Sequence, residues 1–171
     1  MKYDYLTIYE KNTAFLQSRP LLLRLVKILN VALCWMFVAL YAFLWIHALW
    51  IEPMAEKELV GIALPPALTW ISVTALQWLF DRPRPYDENG ANITPLQVKK
   101  KDNSSFPSRH LACASAIAMA FLCHFTLPGV LLLGFTLLLG YLRFALGWHY
   151  PSDLFAGAGL GIALGGIIFF I

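Results

Sequence analysis

Apolar runs near the length of a membrane span alternate with shorter polar stretches along this chain. The first run, about 25–51, is rich in Leu, Val, Trp and Phe, and Tyr41, Trp45 and Trp50 are placed to anchor its far end at an interface. A second covers about 59–80, with Pro65 and Pro66 predicting a kink. After a long polar stretch, three more follow at about 107–125, 130–146 and 153–171. Pro128-Gly129 marks the turn between the third and fourth, and "GWHYPSD" interrupts the fourth and fifth. A helix of about 20 apolar residues crosses a bilayer core. Residues 1–24 are mixed, with Tyr5, Ile8, Phe15 and Leu16 on one side, which predicts an interfacial helix ended by Pro20. The expected fold is all-α: a polytopic membrane helical bundle of about five transmembrane helices plus an N-terminal interfacial amphipathic helix, as one domain over residues 1–171.

Composition sharpens this. The chain of 171 residues is 59% hydrophobic and 13% charged, too apolar for a soluble all-helical domain of this size. Cys34, Cys113 and Cys123 all sit in apolar runs, with neither metal-ligand spacing nor a disulfide pattern, and read as packing residues. The first fifteen residues lack an apolar core with a small-residue cleavage site, so no cleaved leader is expected. The net charge of +3 is modest; no nucleic-acid partner and no cofactor or metal are expected, and nothing in the sequence addresses oligomeric state. His47 is expected to be a hydrogen-bonded interfacial histidine, and Lys99, Lys100 and Lys101 a solvated or headgroup-facing run.

The polar stretch at 81–106 has the Pro, Gly, Asn and Asp content of a loop, and loops of this length are mostly functional or disordered. Spans three and four make one round trip, so residues 81–110 and 143–153 fall on the same membrane face. That face collects Arg82, Arg84, Arg109, His110, Arg143, His149 and Asp153. Ionisable groups beside a membrane core are costly and mark function by default. Arginine forks suit phosphate oxygens, and Ser108 and Arg109 open the third span, where free backbone N–H groups favour an anion. His149 and Asp153 are four apart, so Asp153 is expected to accept a bond from the imidazole, fixing its tautomer and leaving the other nitrogen free to attack.

"RPRP", "PSRH" and "LRFALGWHYPSD" together resemble the three ordered motifs of the type 2 phosphatidic acid phosphatase superfamily, over about residues 77–157. That pattern is Lys-x6-Arg-Pro, Pro-Ser-Gly-His and Ser-Arg-x5-His-x3-Asp. Arg84-Pro85 fits the first, with Arg82 as the alternative register; Pro107–His110 fit the second; Arg143, His149 and Asp153 fit the third. Gln77 falls where the pattern has lysine, Arg109 where it has glycine and Leu142 where it has serine. The resemblance implies metal-free hydrolysis of a lipid phosphate. His149 attacks phosphorus, Asp153 orients it, and His110 protonates the leaving oxygen and then activates water. Arg84, Arg143, Arg109, Ser108 and Gln77 bind the phosphate. It also implies a lipid phosphate substrate in the bilayer of a cell membrane, with undecaprenyl diphosphate favoured over phosphatidylglycerophosphate, phosphatidic acid and lipid A phosphates. A lipid-to-lipid phosphotransferase and a non-catalytic phospholipid-binding protein are the alternatives. Lys2, Lys11, Arg19, Arg24 and Lys27 share the site's face, and Glu52, Glu56 and Glu58 lie opposite. The positive-inside rule then points the site to the cytoplasm, whereas relatives in this family usually face outward; the side is left open.

Overall fold

The structure, a computed structural model, describes residues 2–98 and 104–170; Lys99, Lys100 and Lys101 lie outside them. The described residues form helices and no strand: α1 (Lys2–Gln17), α2 (Pro20–Ile46), α3 (Glu56–Phe80), α4 (Arg109–His124), α5 (Thr126–Ala145) and α6 (Pro151–Gly165). A π-helical turn, His47–Ile51, extends α2, and a 3-10 turn, Gly166–Phe170, extends α6. By length and composition four described segments can cross a membrane: Pro20–Ile51, Glu56–Phe80, Thr126–Ala145 and Pro151–Phe170. They turn large apolar side chains such as Trp35, Trp70, Leu137 and Phe155 outward, as helices solvated by lipid do.

α4 is different. Its 16 residues reach about 24 Å at 1.5 Å per residue, and nearly all its middle is buried: Ala112, Ala114, Ser115, Ala116, Ala118 and Ala120 among them. It is the axis of the bundle, packed on by α3, α5 and α6. Between helices in lipid, close van der Waals packing supplies what the hydrophobic effect supplies in water. Gly157, Gly161 and Gly165, four apart, provide it. A Cβ on Gly157 would stand 2.5 Å from the Ser108 carbonyl oxygen, one on Gly161 2.1 Å from that of Ala112, and one on Gly165 2.7 Å from the Met119 Cβ. Gly159 meets nothing within 4 Å and Gly166 only the Met119 methyl at 4.0 Å, so the four-spaced set makes the close contact.

Several boundaries differ from the sequence pattern. α2 starts at Pro20, which occupies the first helical turn, where the missing N–H costs nothing. Pro128 lies inside the first turn of α5 for the same reason, the Gly129 N–H after it donates to the Phe125 carbonyl (2.9 Å), and the chain reverses at Phe125 instead. α3 runs through Pro65 and Pro66 as one 25-residue helix. The inward face of α1 is Tyr5, Tyr9 and Leu16, while Ile8 and Phe15 are exposed. α1 therefore carries apolar groups on two sides, one toward the bundle and one outward, as a helix between protein and lipid requires. Tyr5 stacks on Tyr9 and meets Tyr150 at 5.0 Å, and the Tyr9 hydroxyl donates to the Thr94 carbonyl (2.9 Å). The N-terminal helix thus sits on the same membrane face as the long loop.

Candidate active site

α3 ends at Asp81, whose left-handed backbone (φ 34°) turns the chain into the loop. The two ends of that loop are pinned together. The Arg82 N–H donates to Ser104 Oγ (2.9 Å) and the Ser105 N–H to the Arg82 carbonyl (2.8 Å). Farther along, Asp87 Oδ2 accepts from the Arg84 N–H (2.8 Å) and Trp148 Nε1 donates to the Gln97 carbonyl (2.9 Å). The loop is thereby laid over the α5–α6 connection, which carries His149.

His149 is 2% exposed and Asp153 is fully buried. His149 Nδ1 lies 3.0 Å from the Ser105 carbonyl oxygen. A carbonyl only accepts, so Nδ1 carries the proton and Nε2 presents its lone pair. Asp153 Oδ2 is 3.7 Å from Nδ1, beyond hydrogen-bond reach. The expected imidazole–carboxylate bond is therefore replaced by the backbone bond, and Asp153 acts on the ring through its charge. Its own oxygens are occupied. Arg82 Nη1 donates to Oδ1 at 2.6 Å, while Oδ2 accepts from Ser105 Oγ and from the Tyr150 N–H at 3.0 Å. That last bond also caps the start of α6. Burial holds His149 neutral and pushes its pKa down to about 4. Asp153 opposes the shift, and the charges of Arg84 and Arg143 add to it.

Two guanidinium groups surround this ring. Arg84, 4% exposed, donates from Nη1 to the Trp148 carbonyl (3.2 Å) and faces His149 Nε2 at 3.3 Å. Arg143, from the last turn of α5, donates from Nη2 to Cys34 Sγ (3.2 Å) and leaves buried Nε and Nη1 without a partner. A buried cation with unused donors is expensive unless an anion completes it. Ser108 Oγ is likewise buried and unpartnered. The Ser108 N–H is taken by the Asp153 carbonyl (2.9 Å), so the hydroxyl rather than this amide is what Ser108 has left to offer an anion.

The remaining sequence-predicted residues lie beside this nest. Gln77, buried in the last turns of α3, donates from Nε2 to the Pro107 carbonyl (2.9 Å) and accepts from Arg109 Nη2 (2.6 Å). His110 is exposed on the first turn of α4. It lines a groove of about 360 Å³ between α2, α4 and α5, with Cys34, Trp35, Cys113, Ile117 and Leu139. Cys34 lines this groove and also accepts from Arg143, so one side chain separates the apolar groove from the guanidinium. Among the described residues no three His, Cys, Asp or Glu side chains converge as metal ligands. Sequence reasoning missed Ser105 and Cys34, and left Arg82 as an alternative to Arg84. A serine in a polar loop carries no signal of its own. The two arginines of "RPRP" have divided the work, Arg82 to Asp153 and Arg84 to His149.

The PAP2 superfamily pattern matches residues 58–171, which include all three motif segments. The Escherichia coli (strain K12) protein YbjG, provisionally named an undecaprenyl-diphosphatase, is 29% identical over 155 residues, covering 89% of this chain and 74% of its own. The crystal structure of Aquifex aeolicus LpxE superposes with a TM-score of 0.71 at 25% identity, covering 97% of this chain and 94% of the other. A transmembrane PAP2 type phosphatidylglycerolphosphate phosphatase from Bacillus subtilis superposes at 0.69 with 17% identity, covering 99% and 94%, a likeness of fold alone. A family match over most of the chain, agreeing with a helical membrane bundle that buries Arg84, Ser108, Arg143, His149 and Asp153 of the motif segments, means that this multi-pass membrane phosphatase belongs to the PAP2 superfamily.

Proposed function

We propose that this protein hydrolyses lipid phosphates at the surface of a cell membrane through a phosphohistidine on His149, with undecaprenyl diphosphate as the favoured substrate. The observation that carries the reading is the Arg143 guanidinium, buried with Nε and Nη1 unused beside a neutral histidine. Phosphoryl transfer asks the protein mainly for positioning and charge neutralisation, and this nest supplies both.

In the proposed reaction His149 Nε2 attacks phosphorus as the bond to the leaving oxygen breaks. Arg84, now 3.3 Å from Nε2, moves its donor to a phosphate oxygen; Arg143, Arg109 and Ser108 Oγ take others. His110 gives the leaving oxygen its proton. For a diphosphate the leaving group is the lipid monophosphate; for a monoester it is the lipid alcohol. Water then attacks the phosphohistidine, His110 takes its proton, and inorganic phosphate departs with His149 restored. Asp153, held by Arg82 and Ser105, stabilises the positive ring in the intermediate. The groove beside His110 and Cys34 suits the hydrocarbon chain, which it would hold in line with the headgroup. The YbjG relationship supports a prenyl diphosphate; phosphatidylglycerophosphate, phosphatidic acid and lipid A phosphates are the other members of the class.

The test is phosphate release from a panel of these lipids by the purified full chain, with and without EDTA and vanadate. Release that survives EDTA and is blocked by vanadate, fastest on undecaprenyl diphosphate, supports the reading. Loss of activity with EDTA contradicts the metal-independent mechanism. Equal rates across the panel make the enzyme a broad phosphatase. Labelling of an Asn89→Cys variant in intact cells reads the membrane side, since Asn89 is exposed on the loop.

A further inference from the structure

We propose that Arg109 carries a phosphate-binding charge that Gln77 holds in place, so that Gln77 acts as a positioning residue for a cation relocated from α3 to α4. This deepens the phosphatase reading and rests on it.

The amide of Gln77 has no freedom to play both parts. Its Nε2 donates to the Pro107 carbonyl at 2.9 Å, and that acceptor fixes which way the amide is turned. Oε1 is then obliged to face the other way, where Arg109 Nη2 donates to it at 2.6 Å. Gln77 is 7% exposed, so its head is held by packing as well as by two hydrogen bonds. The guanidinium of Arg109 consequently lies where a longer, cationic side chain at position 77 would put its own charge. Two cations could not share that space without repulsion. A neutral acceptor at 77 and an arginine at 109 form one consistent solution. A lysine at 77 and a glycine at 109, as in the motif pattern, form the other.

The location suits a headgroup contact. Arg109 is the first residue of α4, between Ser108, whose N–H is tied to the Asp153 carbonyl, and His110 on the groove. It is only half-buried, unlike Arg84 and Arg143, so it can meet the substrate as the phosphate arrives.

Steady-state kinetics on a lipid phosphate that the wild-type chain hydrolyses provide the test. Arg109→Gly and Gln77→Ala are each expected to raise KM about tenfold and to change kcat less, the signature of lost binding. Combined, Gln77→Ala and Arg109→Gly should do little more than Arg109→Gly alone, because Gln77 acts through Arg109. Placing Gln77→Lys on Arg109→Gly should return KM to within about threefold of wild type. An unchanged KM for Arg109→Gly overturns the proposal. So does a charge-relocated double variant that melts like wild type yet binds no better than Arg109→Gly. Should that double variant fail to fold, Arg109→Lys decides: a KM near wild type sustains the proposal, and one equal to that of Arg109→Gly overturns it. Equal phosphate release by wild type and His149→Ala would instead defeat the underlying reading, a distinct result.

Discussion

Two histidines stand beside carboxylates at opposite ends of the bundle, at nearly the same distance. His149 Nδ1 is 3.7 Å from Asp153 Oδ2, and His47 Nε2 is 3.9 Å from Glu52 Oε2. Only the first pair is surrounded. Asp153 is fully buried, with an arginine, a hydroxyl and a backbone amide on its oxygens, whereas the Glu52 side chain is 78% exposed. His149 has a backbone acceptor on one nitrogen and a guanidinium facing the other. His47 leaves Nδ1 without a partner and packs its ring edge-on against Phe125 at 5.2 Å. A histidine near an acid is thus not a site. The convergence of a loop, two helix ends and their arginines on one ring is.

The contrast breaks most sharply at the nucleophile. His149→Ala is expected to lower lipid-phosphate hydrolysis by on the order of 10³-fold or more, because the proposed covalent intermediate forms on its Nε2. Rates within tenfold of wild type, in a variant that inserts and melts normally, would overturn the assignment. Arg143→Ala comes next, at roughly 10²-fold, the usual consequence of losing a charged donor from a phosphoryl or oxyanion site. Arg143→Lys should recover only part of this, since one ammonium cannot reproduce Nε and Nη1 together. Ser105→Ala should cost about tenfold in kcat with KM nearly unchanged. It removes the hydroxyl bond to Asp153 but leaves the Ser105 carbonyl on His149 and Arg82 on Asp153.

Much of this is legible in the sequence. Apolar runs separated by polar turns delineate α2 to α6, because a bilayer demands long apolar segments of each crossing helix and the bundle demands an apolar α4 at its axis. The motif spacing names Arg84, Arg143, His149 and Asp153, which the fold gathers. What the sequence hid is of two kinds. Ser105 contributes a carbonyl and a hydroxyl from a loop, and backbone acceptors leave no trace in residue type. The short distance between α4 and α6 made the Ser108 N–H unavailable to an anion, and that distance is set by three glycines on the far side of the contact. α1 misled for a related reason. A helix wedged between protein and lipid is apolar on two sides, so periodicity alone does not say which side faces in.

The pH dependence sharpens the pair further. In the proposed mechanism His149 must be neutral to attack. With its pKa pushed down to about 4, kcat/KM should stay insensitive to this group above that pH and fall about tenfold per unit below it. The kcat limb should lie higher, because a bound phosphate dianion beside the ring favours its protonated form. Stability follows with the opposite partner in view. The unfolded chain takes up this proton near pH 6.5 and the folded chain only near 4. His149's contribution is therefore fully present above 6.5 and declines as pH falls through that window. An acid limb in kcat/KM at 6.5 or above would show that the histidine is not shielded as the geometry requires.

The smallest effect belongs to the other histidine, and it is the control that gives the comparison meaning. His47→Ala removes a ring that touches Phe43 and Phe125 and a distant, solvent-screened approach to Glu52. The ion pair contributes little, because an exposed partner is stabilised by water nearly as well as by the imidazole. The lost ring contact should lower the melting temperature modestly, while kcat and KM change by less than about twofold. A large loss of activity without loss of folded protein would mean that the π-helical turn at His47–Ile51 is coupled across the bundle to the site. The physical route would be α4, whose Phe121 packs against Phe125, the ring that His47 meets, and whose first turn carries His110. An undisturbed kcat instead confines the chemistry to the face where carboxylate, imidazole and arginines are buried together.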